Sequence, residues 1–259
     1  MILDDIIKNK INEVAECRKQ ISQEELIKAV VSMPASRSFG EAISKPGRVN
    51  IITEIKRTSP SAGIIGGRDF NVEEIARKYR DNGADAISVL TDEKYFKGSI
   101  AHLNTVSRMA GIPVLRKDFI IDEYQVYESR YFGADAILLI ASVLDETKII
   151  NFTKIASSMN MSCLTEVHTE KELEKVLSAG AVIIGINNRN LSDFTVNIQT
   201  TARLRKRIPA GKIVVSESGI ASAADMKLMR ENGVNAVLVG ESLLKANDIS
   251  VKMKELLSW

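Results

Sequence analysis

Residues 82–90 read NGADAISVL, and the same grammar returns as FGADAILLI at 132–140, AGAVIIGI at 179–186 and NGVNAVLVG at 232–240. Each copy closes an amphipathic stretch, passes through a glycine and a small-residue turn, and enters an apolar run of strand length. A glycine just past a helix supplies the left-handed residue that lets the chain turn back. The four glycines, Gly83, Gly133, Gly180 and Gly233, lie 50, 47 and 53 residues apart. Half of that spacing, about 25 residues, is one strand–helix unit, so the echo marks every second strand.

Outward from these copies the alternation continues. The apolar runs are IITEI, AISVL, PVLR, AILLI, SCLTEV, VIIGI, IVVSE and AVLVG, and between them lie amphipathic stretches such as NVEEIARKYRDNG and TEKELEKVLSAG. Runs apolar on both faces belong to parallel strands covered by helices. Eight such units fit 259 residues, which predicts an α/β fold, a (β/α)8 TIM barrel. A doubly wound open sheet is the alternative, but no G-x-G-x-x-G follows the first strand.

Residues 1–259 are expected to form one barrel domain, with 1–48 as a helical N-terminal extension. Ile2, Ile6, Ile7 and Ile11 recur at helical spacing. A break at Gln20-Ile21-Ser22 precedes a second helix, for which Ser22 and Glu25 have capping-box spacing. Pro34 to Arg48 reads as a connector.

Composition narrows the function classes. Lys plus Arg number 35 against 33 Asp plus Glu, a net charge of +2 that makes no electrostatic case for nucleic acid or an anionic membrane. The densest basic run, Arg203 to Arg207, sits in a helical pattern and reads as a solvated face. Cys17 and Cys163 are the two cysteines, too few for a disulfide framework or a metal spacing. The N-terminus MILDDIIKNK lacks the basic and apolar regions of a signal peptide. A cytoplasmic location is expected.

Charge is scarce in the strands and gathers where they end. In IITEIKRTSPSAG (51–63), Glu54 and Lys56 alternate and so share a face. Further ends carry Lys117-Asp118, Glu166, Asn187-Asn188-Arg189, Ser216-Glu217-Ser218-Gly219 and Gly240-Glu241-Ser242. In this fold the C-terminal strand ends build the active site, and the loops after strands seven and eight grip phosphate. Lys56 and Lys117 with Glu54, Glu166 and Glu217 on one rim mix proton donors with acceptors whose pKa values neighbours and burial can push apart. Glu241 beside an anion is awkward unless it opens the last helix, its side chain outward and its backbone N–H inward.

The motifs EIKRTSPS (54–61), LTDEKYFKGS (90–99), LRKDFI (115–120), LTEVH (164–168), IGINNRNL (184–191), SESGI (216–220) and VGESLL (239–244) together resemble the indole-3-glycerol-phosphate synthase family of tryptophan biosynthesis. The likeness in order and spacing runs from about residue 2 to the end. It implies a carboxy-lyase that closes, decarboxylates and dehydrates 1-(2-carboxyphenylamino)-1-deoxyribulose 5-phosphate to indole-3-glycerol phosphate. By that likeness Lys117 is the general acid and Glu166 the general base. Lys56 binds the substrate carboxylate, and Glu54 and Asn187 orient these groups. Glu217 is a further site acid, Arg189 and Ser218 contact substrate, and Phe96, Phe119, Leu138 and Leu191 form the wall around the aryl ring. Ser59, Gly219, Gly240 and the backbone of Glu241 hold the phosphate.

The resemblance implies no metal and no organic cofactor, a small phosphorylated molecule as partner, and an association with other tryptophan-pathway enzymes as a possibility. His102 and His168 read as surface or supporting residues. Because an ordinary lysine is a weak acid at neutral pH, a value lowered by nearby Lys56 is expected for Lys117. Rival barrels fit less well: a phosphoribosylanthranilate isomerase places a cysteine where Lys56 stands, and a metal-dependent pentose-phosphate epimerase needs several histidines. A non-catalytic barrel that binds a phosphorylated metabolite would be signalled by lost rim charges, and Lys117 and Glu166 are both present.

Overall fold

A computed structural model describes residues 2–59 (to the backbone at Ser59), 63–65, 70–190 and 193–258. In chain order its elements are α1 (Ile2–Gln20), α2 (Gln23–Val31), α3 (Phe39–Ala42), β1 (Asn50–Ile55), β2 (Thr58–Ser59), β3 (Gly63–Ile64), α4 (Val72–Asp81), β4 (Ala86–Leu90), α5 (Glu93–Phe96), α6 (Ile100–Met109), β5 (Val114–Lys117), α7 (Glu123–Tyr131) and β6 (Ala136–Ile140). There follow α8 (Glu146–Ser158), β7 (Ser162–Val167), α9 (Glu170–Ser178), β8 (Ile183–Asn187), α10 (Gln199–Arg205), β9 (Ile213–Glu217), α11 (Ala223–Glu231), β10 (Ala236–Val239), α12 (Glu241–Leu244) and α13 (Ile249–Leu257).

Strands β1 and β4 to β10 pair in parallel, each with its sequence neighbour, and β10 returns to β1 to close the barrel. This is the (β/α)8 barrel that the alternation predicts, and closure removes every sheet edge that an open doubly wound sheet would leave. The eight apolar runs fall on the eight barrel strands. One side of the strands packs against the helices through residues such as Ile51, Ile87, Ile137 and Ile184. The other fills the barrel with Ile52, Ala86, Leu115, Ala136, Leu164 and Val215.

The recurring glycines do what the echo requires. Gly83, Gly133, Gly180 and Gly233 have φ of 90°, 88°, 79° and 66°, the left-handed turn from helix into strand. The polar residue that follows in three copies has a separate task. The side chains of Asp85, Asp135 and Asn235 accept the backbone N–H of Ile51, Val114 and Val214, stitching the starts of β4, β6 and β10 to a neighbouring strand. The AGAVIIGI copy has Val182 at that position.

The N-terminal extension runs the full height of the barrel. Ser22 and Glu25 form the capping box that their spacing predicts. The Pro34–Arg48 connector contains α3, a single turn too short to show a period, and its Phe39 is fully buried with Ile43 in the barrel's N-terminal end. Arg37 pairs with Asp135 at 2.7 Å, and Lys45 and Arg48 both pair with Asp85. Past β1, the apolar alternation gives way to Ser59-Pro60-Ser61-Ala62-Gly63, turn-forming residues that read as a loop; there Thr58–Ser59 pairs antiparallel with Gly63–Ile64, and residues 60–62 lie outside the described part. The basic run on α10 lies on the surface, Arg203 pairing with Glu170 and Arg207 with Glu174. Among the described residues no helix is long and apolar enough to cross a membrane.

Candidate active site

One cavity opens at the C-terminal ends of the strands. It is lined by Glu54, Lys56, Phe96, Lys117, Phe119, Leu138, Glu166, Asn187, Arg189, Glu217, Ser218, Gly219, Gly240 and Glu241. Every candidate residue from the sequence therefore borders the same space, apart from the Ser59 side chain and Leu191, which lie outside the described residues.

Lys117 is the hub. As the last residue of β5 it points inward, and its Nζ donates to Glu166 Oε2 on β7 at 2.8 Å and to Glu217 Oε2 on β9 at 2.6 Å. Burial works against the lysine's charge, but the carboxylates of Glu166, Glu217 and Glu54 outweigh it and raise its pKa. This overturns the expectation that Lys56 lowers it. Lys56 is engaged elsewhere, its Nζ 2.5 Å from Glu54 Oε1, as their shared strand face requires.

One lysine cannot neutralise two buried carboxylates, and the pair divides accordingly. Burial pushes both up. Glu166 is drawn back down by Lys117, by His168 and by hydrogen bonds from Lys117 and Asn187, so it stays ionised. Glu217 is relieved by Lys117 but opposed by Glu166, and its carboxyl is pushed up to about 7. Its Oε1 is buried with no hydrogen-bond partner among the described residues.

Asn187 Oδ1 accepts from Ser218 Oγ at 2.9 Å and from the Arg189 N–H at 3.0 Å, tying the ends of β8 and β9 together. Ser218 holds a positive φ of 68°, costly for a residue with a Cβ. Asn188 helps hold it there, donating to the Ser218 carbonyl at 2.9 Å. Glu241 opens α12, and its carboxylate turns to Lys245 at 2.6 Å and Arg189 at 3.5 Å. Gly240 is closely approached by Glu54: a Cβ there would lie 2.8 Å from Glu54 Oε1.

Phe96, at the end of the one-turn α5, and Phe119, just past β5, stand with ring centroids 6.2 Å apart along one wall, with Leu138 also lining the cavity. Ile2, Leu3 and Ile6 of α1 add to the apolar lining. Sequence reading missed these three, whose helical spacing announces an apolar face but not what it covers.

It also missed the ion cluster that seats α1. Lys10 is buried, with Nζ 3.1 Å from Asp92 and 2.9 Å from Asp118. Asp118 also pairs with Arg116 at 3.1 Å and caps the Phe119 N–H at 2.8 Å, while Asp92 caps α5. Both wall phenylalanines thus hang on carboxylates that Lys10 holds.

Fold and site together define a (β/α)8 barrel whose acids, bases and apolar wall converge on the C-terminal face of its strands. A family model described as indole-3-glycerol phosphate synthase matches residues 3–256. The chain is 47% identical over 258 residues to the indole-3-glycerol phosphate synthase of Alkaliphilus metalliredigens (strain QYMF), covering 100% of this chain and 98% of that one. To the protein of the same name from Acetivibrio thermocellus it is 45% identical over 258 residues, covering 98% of each. Among solved structures, 3-hexulose-6-phosphate synthase from Salmonella typhimurium superposes with a TM-score of 0.65 at 15% identity, over 81% of this chain and 97% of that one, a likeness of fold alone. The chain belongs to the indole-3-glycerol phosphate synthase family.

Proposed function

We propose that the protein carries out the indole-forming ring closure of tryptophan biosynthesis, converting 1-(2-carboxyphenylamino)-1-deoxyribulose 5-phosphate to indole-3-glycerol phosphate, carbon dioxide and water. The observation that carries this reading is a lysine held cationic between two carboxylates, Lys117 with Glu166 and Glu217, beside an aromatic wall. The phenyl ring of the substrate lies against Phe96, Phe119 and Leu138, and its carboxylate meets Lys56. Its phosphate takes backbone N–H groups near Gly219, Gly240 and Glu241, whose own carboxylate is turned toward Lys245 and Arg189.

Lys117 acts as the general acid. Its raised pKa is no obstacle, because the oxygen that becomes an alkoxide as the aryl carbon attacks is more basic still, and the ammonium is always loaded. The carboxylate then leaves as carbon dioxide and the ring regains aromaticity, with the proton from Lys117 now on the hydroxyl of the new ring carbon. In the dehydration Glu166 takes the neighbouring C–H proton as that hydroxyl departs as water with a second proton from Lys56, which the loss of the carboxylate has freed. Glu54 and Asn187 orient Lys56 and Glu166.

Purified protein given this substrate should develop indole fluorescence, with and without EDTA, and Lys117→Ala should lose at least about 100-fold in kcat. Equal rates for the two proteins would sink the assignment.

A further inference from the structure

His168 follows Glu166 by two residues, just beyond the end of β7, and its ring turns back onto that carboxylate. Lys117 occupies Oε2 of Glu166, while His168 Nε2 lies 3.5 Å from Oε1. Nε2 is buried and makes no hydrogen bond to the described residues. On the opposite side of the ring, Nδ1 lies 3.3 Å from Glu172 Oε2 on α9, and the same oxygen accepts the His168 backbone N–H at 2.7 Å. The charges facing the ring are Glu166 from β7, Glu172 from α9 and, further off, Glu217 from β9; Lys175 in turn faces Glu172. An imidazole with a carboxylate at each nitrogen satisfies both only when it carries both protons.

The chemistry creates a need at this spot. Lys117 gives up its proton in the ring closure, and Glu166 then loses the cation 2.8 Å away. A buried carboxylate without a cation takes up a proton, and a protonated Glu166 cannot act as a base. We propose that His168, held as an imidazolium by Glu172, is a positioning residue that keeps Glu166 ionised and orients its Oε1 while Lys117 is uncharged, an inference that rests on the roles assigned to Lys117 and Glu166 above. Burial opposes a charge on the ring, but the hydrogen bond to Glu172 and the carboxylates of Glu166 and Glu172 raise its pKa above the ordinary value.

The direct test removes the lysine charge and reads the carboxylate. In Lys117→Met protein carrying 13C at the glutamate carboxyls, with Glu166 assigned through Glu166→Gln, the Glu166 resonance is titrated with and without a second change, His168→Gln. The expected result is a Glu166 pKa higher by about one unit or more in the double variant, a tenfold change in its proton affinity. Coincident titrations overturn the proposal, whether or not the protein closes indole rings.

In the otherwise native chain, His168→Gln is expected to lower kcat about tenfold with KM within about twofold. The native protein's kcat should fall as pH rises through the His168 pKa, and the profile of His168→Gln should lack that fall. Glu172→Gln, which leaves the Glu166 pocket intact, should shift that fall to lower pH. A loss confined to KM, or a lower melting temperature with kcat and its pH profile unchanged, overturns the proposal. If the Glu166 shift is found in the Lys117→Met background while the native protein makes no indole product, the functional reading falls and the charge relationship stands.

Discussion

At the scale of single residues, the site is governed by how many charges share a small buried volume. Glu217 is the acid that burial and Glu166 push up to about 7, so the folded chain keeps a proton that the unfolded chain releases near the ordinary glutamate value of about 4.3. That contribution to stability is fully present below the unfolded pKa and is lost as pH rises through the folded one. Glu217→Gln has no charge to bury. Its melting temperature should match the native protein near about pH 5 and exceed it at about pH 8, by about 2–4 °C for each kcal/mol of relief. A constant gap across pH would show that Glu217 ionises normally. Gly240 makes a steric counterpart: a Cβ there would meet Glu54 Oε1 at 2.8 Å and Glu54 Cβ at 2.9 Å. Gly240→Ala should displace Glu54 and with it Lys56, costing about 100-fold in kcat/KM, since about 1 Å of misplacement is enough. Kinetic constants within about twofold of native would remove Glu54 from the machinery.

At the scale of elements, α1 is held to the barrel by a buried cation. Lys10 loses its hydration and recovers it from Asp92, Asp118 and the more exposed Glu13. Carboxylates raise its pKa in spite of burial. Lys10→Met keeps the length of the side chain but strands buried carboxylates, and removing one partner of such a group costs about 3–5 kcal/mol. Urea unfolding followed by circular dichroism reads that cost. Because Asp92 caps α5 and Asp118 caps Phe119, KM should rise as well, and a variant of native stability would show that α1 is seated by its apolar face alone. The elements themselves were legible from periodicity, glycine position and cap spacing, all of which act over a few residues. What escaped was short or paired at a distance. The single turn α3 is below any helical window, and the β2–β3 pairing joins two dipeptides too short to carry a strand period.

At the scale of the whole molecule, the barrel separates its duties by end. Charges and apolar wall gather at the C-terminal face, while Phe39 and Ile43 close the N-terminal end far from that chemistry. Phe39→Ala should therefore cost stability, about 3–5 kcal/mol for a fully buried aromatic, and leave kcat and KM of the folded protein unchanged. A matching loss of kcat at a temperature where the variant is fully folded would show that the two ends communicate.

By itself the amino-acid order determined the eight strand–helix units and the side of each strand end that carries charge, because backbone propensity and side-chain alternation are set by near neighbours. It also determined which residues could meet at the rim, since every strand of a parallel barrel ends on the same face. The tertiary structure alone decided who pairs with whom and in what state of charge. Lys117 meets Glu166 and Glu217 across 49 and 100 residues of chain, and only barrel closure sets those distances. Desolvation follows from the same closure. Closure raises the Lys117 pKa through Glu166, Glu217 and Glu54 in place of the lowering by Lys56 that the sequence suggests, because a buried charge answers to the groups it touches, while Lys56 stays with Glu54, its neighbour on the strand face.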